Sequence, residues 1–367
     1  MQDLLIPIPL SALMAGGVSL AVAVLLVLTR HWHDRWTMDG IQGVQKFHTT
    51  PTPRVGGIAI AAAVLAGTLL TLPGRQGLLW PLMLAGTPAL VFGLVEDLSK
   101  CVSVRARLLA TMACGVLGWA LTGLSITDVR VPGLDWLLSV TVVSVAFTAF
   151  AVGGVANAIN IIDGFNGLAS GTAIIILTSF GFMATGVGDA DLAYTSLILA
   201  GAVLGFGLVN WPLGRIFLGD GGAYFVGFAV AWLAVLMQAR HPEVSAWAPL
   251  LACGYPVLEV LFSIRRRRRR RKSPGDADRL HLHSLVKRRV VRRLLPHASH
   301  LVRNSITGAI MWGAALLPAA IAVSWPDDTP ALMLGFAVCA FLYSAVYARL
   351  TQFRWCISPV TLQPQPV

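Results

Sequence analysis

Eleven stretches of the chain stay apolar for about as long as a helix needs to cross the hydrocarbon core of a bilayer, roughly 20 residues. They fall at approximately 5–29, 55–73, 77–95, 106–124, 135–154, 168–187, 192–209, 222–239, 246–264, 305–325 and 330–349. Short polar or Pro/Gly connectors separate them, such as Pro73-Gly74-Arg75 and Pro326-Asp327-Asp328. They are too long and too continuous for barrel strands, which are short and alternate apolar with polar. The pattern therefore predicts an all-α, polytopic integral membrane protein with about eleven transmembrane helices. No internal repeat and no soluble domain stands out, so the whole of 1–367 is one unit.

Composition agrees. The chain is 56% hydrophobic and 12% charged, with a mean hydropathy of +0.72, where a soluble domain carries about 25% charged residues. A water-soluble protein of 367 residues could not hide that much apolar surface in one core. The first apolar stretch has no basic region before it and no small-residue cleavage site, so it reads as a span and not as a cleavable leader. The five cysteines form no CxxC pair and no zinc-finger spacing, and free thiols are expected.

The net charge of +11 raises nucleic acid as a partner, but its distribution argues for topology instead. Of the 28 lysines and arginines, all but Arg75, Arg130 and Arg240 fall on one side when the loops are numbered alternately. By the positive-inside bias that side is cytoplasmic. The N-terminus is then expected outside (periplasmic) and the C-terminus inside. Within the basic loop 265–304, Arg265 to Arg271 with Lys272 directly follows a span. Such a cluster suits anionic lipid headgroups, at about 1 kcal/mol per residue, and no nucleic-acid partner is expected.

The same side collects the polar residues that carry chemistry. They are Lys46, His48, Arg54, Glu96, Asp97, Asn157, Asn160, Asp163, Asn166, Asn210, Asp220, His281 and His283. Carboxylates at helix ends suit a hard cation such as Mg²⁺, which prefers oxygen ligands. Glycine turns such as Gly219-Asp220-Gly221-Gly222 expose backbone N–H groups to phosphate. Basic residues around a phosphate are the recurring apparatus of phosphoryl transfer. Each group also has a plainer reading. Asn157 and Asn160 could simply link helices by hydrogen bonds. Glu96 with Asp97 could be a solvated helix end, and Lys46, His48 and Arg54 could serve topology alone. Glu259, inside the ninth stretch after an expected kink at Pro256, is expected to pair with an arginine of the following loop or to act directly.

Five segments resemble the polyprenyl-phosphate N-acetylhexosamine-1-phosphate transferases, glycosyltransferase family 4. They are Lys46-Phe47-His48 with Pro51-Thr52-Pro53-Arg54-Val55-Gly56-Gly57; Gly93-Leu94-Val95-Glu96-Asp97-Leu98; Asn157 through Ala169; Phe217-Leu218-Gly219-Asp220-Gly221-Gly222; and His281-Leu282-His283. The resemblance spans about 46 to 290. It implies eleven helices in a bacterial inner membrane, a cytoplasmic active site, Mg²⁺ (with Mn²⁺ as a substitute), a UDP-sugar donor and undecaprenyl phosphate as acceptor. It implies Asp220 as the metal ligand and Glu96, Asp97, Asp163, His281 and His283 as catalytic groups. Lys46, His48, Arg54, Asn157, Asn160 and Asn166 would bind substrate. A homodimer is compatible with it.

Two departures matter. Glu96 stands where the family usually has Asp, and Asn166 where many members have an acid, so no carboxylate can act at that position. Ser284 after His281-Leu282-His283 resembles the enzymes that initiate O-antigen or common-antigen synthesis more than the phospho-MurNAc-pentapeptide transferase of peptidoglycan synthesis, which stays as the alternative. A transporter, the second class considered, would place its charges at the bilayer midplane.

Overall fold

The computed structural model describes residues 9–39, 51–71, 77–269 and 280–352. Lys46, His48 and Arg270 to Lys272 lie outside the described residues.

Sixteen helices, α1 to α16, make up almost all of it. In order they are α1 (Leu10–Leu28), α2 (Arg30–Thr37), α3 (Gly56–Leu70), α4 (Leu79–Ser99), α5 (Val104–Thr122), α6 (Leu134–Leu138), α7 (Thr141–Ile162) and α8 (Leu168–Gly186). There follow α9 (Ala190–Asn210), α10 (Gly219–Arg240), α11 (Trp247–Ala252), α12 (Gly254–Arg269), α13 (Leu282–Val286), α14 (Arg292–Leu294), α15 (His300–Ser324) and α16 (Thr329–Thr351). A π-helical turn, Lys287–Val291, joins α13 to α14. A two-residue antiparallel pair, β1 (Met38–Asp39) with β2 (Thr52–Pro53), is the sheet among the described residues. Several boundaries have local causes. The side chains of Ser103, Asp189 and Asp328 accept the backbone N–H three residues on, which starts α5, α9 and α16.

Among the described residues nine helices are long and apolar enough to cross a membrane. Every one of the eleven stretches read from the sequence is helical in this structure, but two depart in form. The second is the 15-residue α3. The ninth is broken at Cys253, between α11 and α12, three residues before the kink expected at Pro256. The edges also shift. The fifth stretch is interrupted after α6, and α7 then runs to Ile162. Asn157 and Asn160 therefore sit on a helix and not in a loop. Asn157 stays helical by returning its amide to the Gly153 carbonyl at 2.7 Å. Asp220 likewise lies in the first turn of α10, and Asp97 in the last turn of α4.

The core is built around α10, which packs on α3, α4, α7 and α8. Every residue from Gly219 to Leu233 is buried. Small residues make that possible. A Cβ on Gly93 of α4 would lie 2.5 Å from Gly221 Cα, and one on Gly57 of α3 would lie 2.4 Å from the Gly222 nitrogen. The helices thus touch backbone to backbone where α10 begins. In hydrocarbon, such close approach supplies the dispersion contact that a hydrophobic driving force cannot. Meanwhile α1 closes the bundle against α3 and α9. At the end of the bundle opposite Asp220, Asp189 accepts from Arg240 Nε (2.7 Å) and pairs with His241 Nε2 (2.9 Å), tying the start of α9 to the end of α10.

Candidate active site

The site forms where three chain segments meet the N-terminus of α10. The strip after β2 runs alongside the segment before α10: Phe217 N–H donates to Pro53 O (2.8 Å), Gly56 N–H to Phe217 O (3.0 Å) and Gly57 N–H to Leu218 O (3.1 Å). This fixes Arg54 beside Asp220. Gly219, at φ +74, turns the chain into α10, and a Cβ there would sit 2.4 Å from Arg54 O and 2.5 Å from Asp97 Oδ2. Only glycine suits such a position.

Asp97 is buried, and both its oxygens are committed. Oδ1 accepts from Asp220 N–H and Oδ2 from Gly221 N–H, each at 2.9 Å. A carboxylate on the free N–H groups of a helix start is favoured by those bonds and by the helix dipole. Arg54 lies 3.4 Å from the same Oδ1. Glu96, one residue earlier and about 100° round the helix, accepts the Val102 N–H at 2.8 Å and lies 3.8 Å from Arg107.

Asp220 is the focus. Arg54 and the Asn160 amide each donate to Oδ1 at 3.1 Å, and Arg107 donates to Oδ2. Two guanidinium groups therefore share one carboxylate. Asp163 follows Asn160 by one turn and is half-buried. Desolvation pushes its carboxyl up to about 7; Arg54 opposes that, and Asp220 and Asp97 add to it.

A second group stands next to the first. The carboxylate of Glu259 on α12 pairs with His281 Nδ1 (2.9 Å) and accepts the Leu282 N–H (3.1 and 3.2 Å). The rings of His281 and His283 stack with centroids 5.2 Å apart. His283 meets the Phe165 ring edge-on at 5.5 Å, and a Cβ on Gly164 would come within 3.3 Å of its Nε2. Lys287 Nζ lies over the other side of this contact, 5.1 Å from the Phe165 centroid. Desolvation, with Arg303 nearby, lowers the Lys287 ammonium to about 8.

The model of glycosyl transferase family 4 matches residues 79–238. That span holds Glu96, Asp97, Arg107, Asn160, Asp163 and Asp220, most of what converges here. Similar proteins include a probable undecaprenyl-phosphate N-acetylglucosaminyl 1-phosphate transferase of Bacillus subtilis (strain 168), 28% identical over 240 residues, 65% of this chain and 66% of that protein. A decaprenyl-phosphate N-acetylglucosaminephosphotransferase of Mycobacterium tuberculosis (strain ATCC 25618 / H37Rv) is 27% identical over 326 residues, 80% of this chain and 78% of that one. A phospho-N-acetylmuramoyl-pentapeptide-transferase of Geobacillus kaustophilus (strain HTA426) is 32% identical over 213 residues, 54% of this chain and 65% of that protein. The match thus spans just under two thirds of the Bacillus and Geobacillus proteins. The chain is similar to glycosyl transferase family 4 across the residues that build this site.

At this site the residues expected from the sequence divide. Arg54, Glu96, Asp97, Asn160, Asp163 and Asp220 are brought together, and His281 and His283 adjoin them through Gly164 and Phe165. Two asparagines face elsewhere. Asn157 donates to Gly153 O and to Thr111 Oγ1 (3.3 Å), which links α7 to α5. Asn166 is buried and donates to Ser305 Oγ on α15 at 3.2 Å. Their amides, expected to bind substrate, instead join helices. Asn210 does similar work, accepting the Gly167 N–H and donating to Ile216 O. Lys46 and His48, the other two expected substrate binders, lie outside the described residues.

Sequence reasoning missed Arg107 as a site residue. Its signal was present: an arginine one turn inside an apolar helix is costly unless paired. Glu259 was singled out; among the described residues it meets the two histidines, the Leu282 amide and Tyr343.

The donor set can be tested for a divalent cation. Among the described residues no three His, Cys, Asp or Glu side chains lie close enough to cage a metal. Magnesium rarely needs such a cage, since one or two carboxylates plus substrate phosphates hold it. Asp163 and Asp220 supply hard oxygens of that kind and fit it.

Proposed function

We propose that this chain transfers a sugar-1-phosphate of N-acetylhexosamine type from a UDP-sugar to undecaprenyl phosphate, giving undecaprenyl-diphospho-sugar and UMP. The observation that carries the reading is the convergence of Arg54, Arg107, Asn160 and Asp163 on Asp220 at the N-terminus of α10. The names of the Bacillus and mycobacterial relatives support it. Two guanidinium groups and a helix N-terminus make a ready site for phosphate oxygens.

In the reaction an oxygen of the lipid phosphate attacks the β-phosphorus of the donor. The bond from that phosphorus to the UMP oxygen breaks, and UMP leaves with the electron pair. A phosphate monoester has a second pKa near ~6, so the acceptor arrives largely dianionic and no residue has to take a proton from it. The task of the chain is to align two anions that repel. Arg54 and Arg107 supply fixed positive charge to them. Asp97 holds the first turn of α10 and hence Asp220 in place. Asn160 sets the rotamer of Asp220. Magnesium, held by Asp220 and Asp163 with the diphosphate, would neutralise charge on the departing UMP. The site end of the bundle carries the basic loops and is the cytoplasmic end in this reading, where a soluble donor and a lipid headgroup meet. Arg265 to Lys272 then lie against anionic headgroups of the inner leaflet.

The test is UMP release by purified protein given undecaprenyl phosphate, Mg²⁺ and a panel of UDP-sugars. Turnover with an N-acetylhexosamine donor that stops in EDTA is expected. Turnover with UDP-MurNAc-pentapeptide alone would favour the second reading, to which the 32% identity of the Geobacillus enzyme points. Release from no donor would remove the reading altogether.

A further inference from the structure

Glu259 is fully buried on α12, within an apolar helix. A carboxylate there is costly unless it is paired and hydrogen-bonded. Tyr343 of α16 stands beside it, and its other partners belong to the histidine segment. Oε1 lies 2.9 Å from His281 Nδ1, both oxygens take the Leu282 N–H that opens α13, and Oε2 lies 4.0 Å from His283 Nδ1. Tyr255, one turn earlier on α12, reaches the same His283 nitrogen at 3.3 Å. Both imidazoles thus turn Nδ1 toward α12 and carry Nε2 on the far edge. For His283 that edge lies against Gly164, the residue after Asp163. His281 Nε2 takes no hydrogen bond from any described residue.

We propose that Glu259 is a positioning residue for the transfer, acting through His281; this rests on the transferase reading above. A carboxylate at Nδ1 holds a proton there, because the bond made by one ring nitrogen sets the state of the other. A phosphate oxygen that meets the ring then does so at Nε2, the nitrogen from which an imidazolium donates a charge-assisted hydrogen bond. The Leu282 bond seats α13, so ring and helix are aimed together. Had Glu259 only capped α13, its charge would be dispensable and His281 would be indifferent to it.

Three measurements on the full-length protein separate these cases. Glu259→Gln keeps one carbonyl oxygen but removes the charge. Its kcat is expected to fall about 10²-fold, with Glu259→Asp recovering part of the loss because it restores the anion. The double variant Glu259→Gln/His281→Ala should match His281→Ala alone, since residues acting as a unit are not additive. Losses that multiply, or a Glu259→Gln variant near wild-type kcat, overturn the proposal. ¹⁵N NMR of the histidine-labelled wild type needs no Glu259 variant to fold. His281, identified by its absence in His281→Asn, should carry its proton on Nδ1, and a bare Nδ1 overturns the proposal equally. No UMP release by the wild type with any donor removes the transferase reading and the proposal with it. Wild-type turnover with multiplying losses removes the proposal alone.

Discussion

Glu96 and Asp97 are sequence neighbours with separate tasks, and the division follows from helix geometry. Asp97 points into the bundle and holds two backbone N–H groups of α10; Glu96 points along the surface to Val102 and Arg107. Asp97→Asn puts an NH₂ group against one of those donors. An unmet buried donor costs about 1–3 kcal/mol, and the shift of Asp220 should lower UMP release by about 10²-fold or more. Glu96→Gln keeps an oxygen for Val102 and gives up only a long contact to Arg107, so less than about tenfold is expected. Glu96→Asp, which restores the commoner family residue, withdraws its carboxylate from Val102 and should be the worse of the two Glu96 changes. Rates of the three variants at saturating Mg²⁺ decide this; a near-normal Asp97→Asn would show that the cap is not what organises the site. At this scale the sequence was legible where a charge had to be explained. A carboxylate or arginine between apolar helices needs a partner, which pointed to Asp163, Asp220 and, unheeded, Arg107. The asparagines were harder to read, because an amide serves a helix contact and a substrate equally well. Only the placement of Ser305 and Thr111 decides between them, and that is tertiary.

Helix ends, more than helices, determine where the chemistry stands. Apolar runs located α4, α7 and α10, but hydropathy marks a boundary where the first polar residue occurs, whereas the backbone continues while its bonds are met. Asn157 bonds a carbonyl of its own helix and Asp97 the N–H groups that start α10, and Asn157, Asp97 and Asp220 all lie on helices although they looked like loop. The break at Cys253 was equally hidden, for the apolar run passes through it unchanged. The meeting of α3, α4 and α10 rests on glycine contacts that admit no Cβ. Gly93→Ala would drive a methyl to 2.5 Å from Gly221 Cα, against backbone that cannot give. Overpacking of this kind costs about 1–3 kcal/mol, and the site should lose activity in step with it. Gly154→Ala on α7 meets nothing within 4 Å and is the control. Equal thermal stability and equal turnover in the two variants would show that the junction is plastic. The opposite end has its own lock. Desolvation would raise the Asp189 carboxyl, but hydrogen bonds from Arg240, His241 and the Leu192 amide hold it below the ordinary carboxylate value of 3.8. A depressed native pKa gives stability that is complete above the unfolded value and is lost as pH falls through the native one. Wild-type protein in detergent should therefore be more stable than Asp189→Asn at pH 6, with the gap closing below about pH 4. A constant gap from pH 6 to pH 3 would mean that the charge of Asp189 plays no part.

At the scale of the whole molecule, the bundle has two chemically different ends. One holds Arg54, Arg107, the carboxylates and the histidine segment; the other holds Asp189, Arg240, His241 and the Trp325-to-Asp328 turn. The charge bias of the loops predicts that the first end faces the cytoplasm, and a native thiol allows this to be tested with little engineering. Cys101 is exposed and lies between α4 and α5, four residues after Asp97. Cys114, Cys253 and Cys339 are buried and should not compete for reagent, and Cys356, outside the described residues, is replaced by serine throughout. A membrane-impermeant maleimide added to intact cells should leave Cys101 unlabelled, whereas inverted vesicles should label it. In a Cys101→Ser background, Asp327→Cys at the turn between α15 and α16 should behave in the opposite way. Labelling at Cys101 should also fall when donor and Mg²⁺ are present, because the thiol stands beside the Glu96–Val102 contact at the edge of the site. The two probes need opposite membrane faces only if an odd number of spans separates them. Labelling of both from one side would therefore show that the α11–α12 pair, the short element between the two probes, does not cross. Labelling of Cys101 from outside with Asp327→Cys protected would invert the molecule, and a cytoplasmic sugar nucleotide could not then reach Asp220.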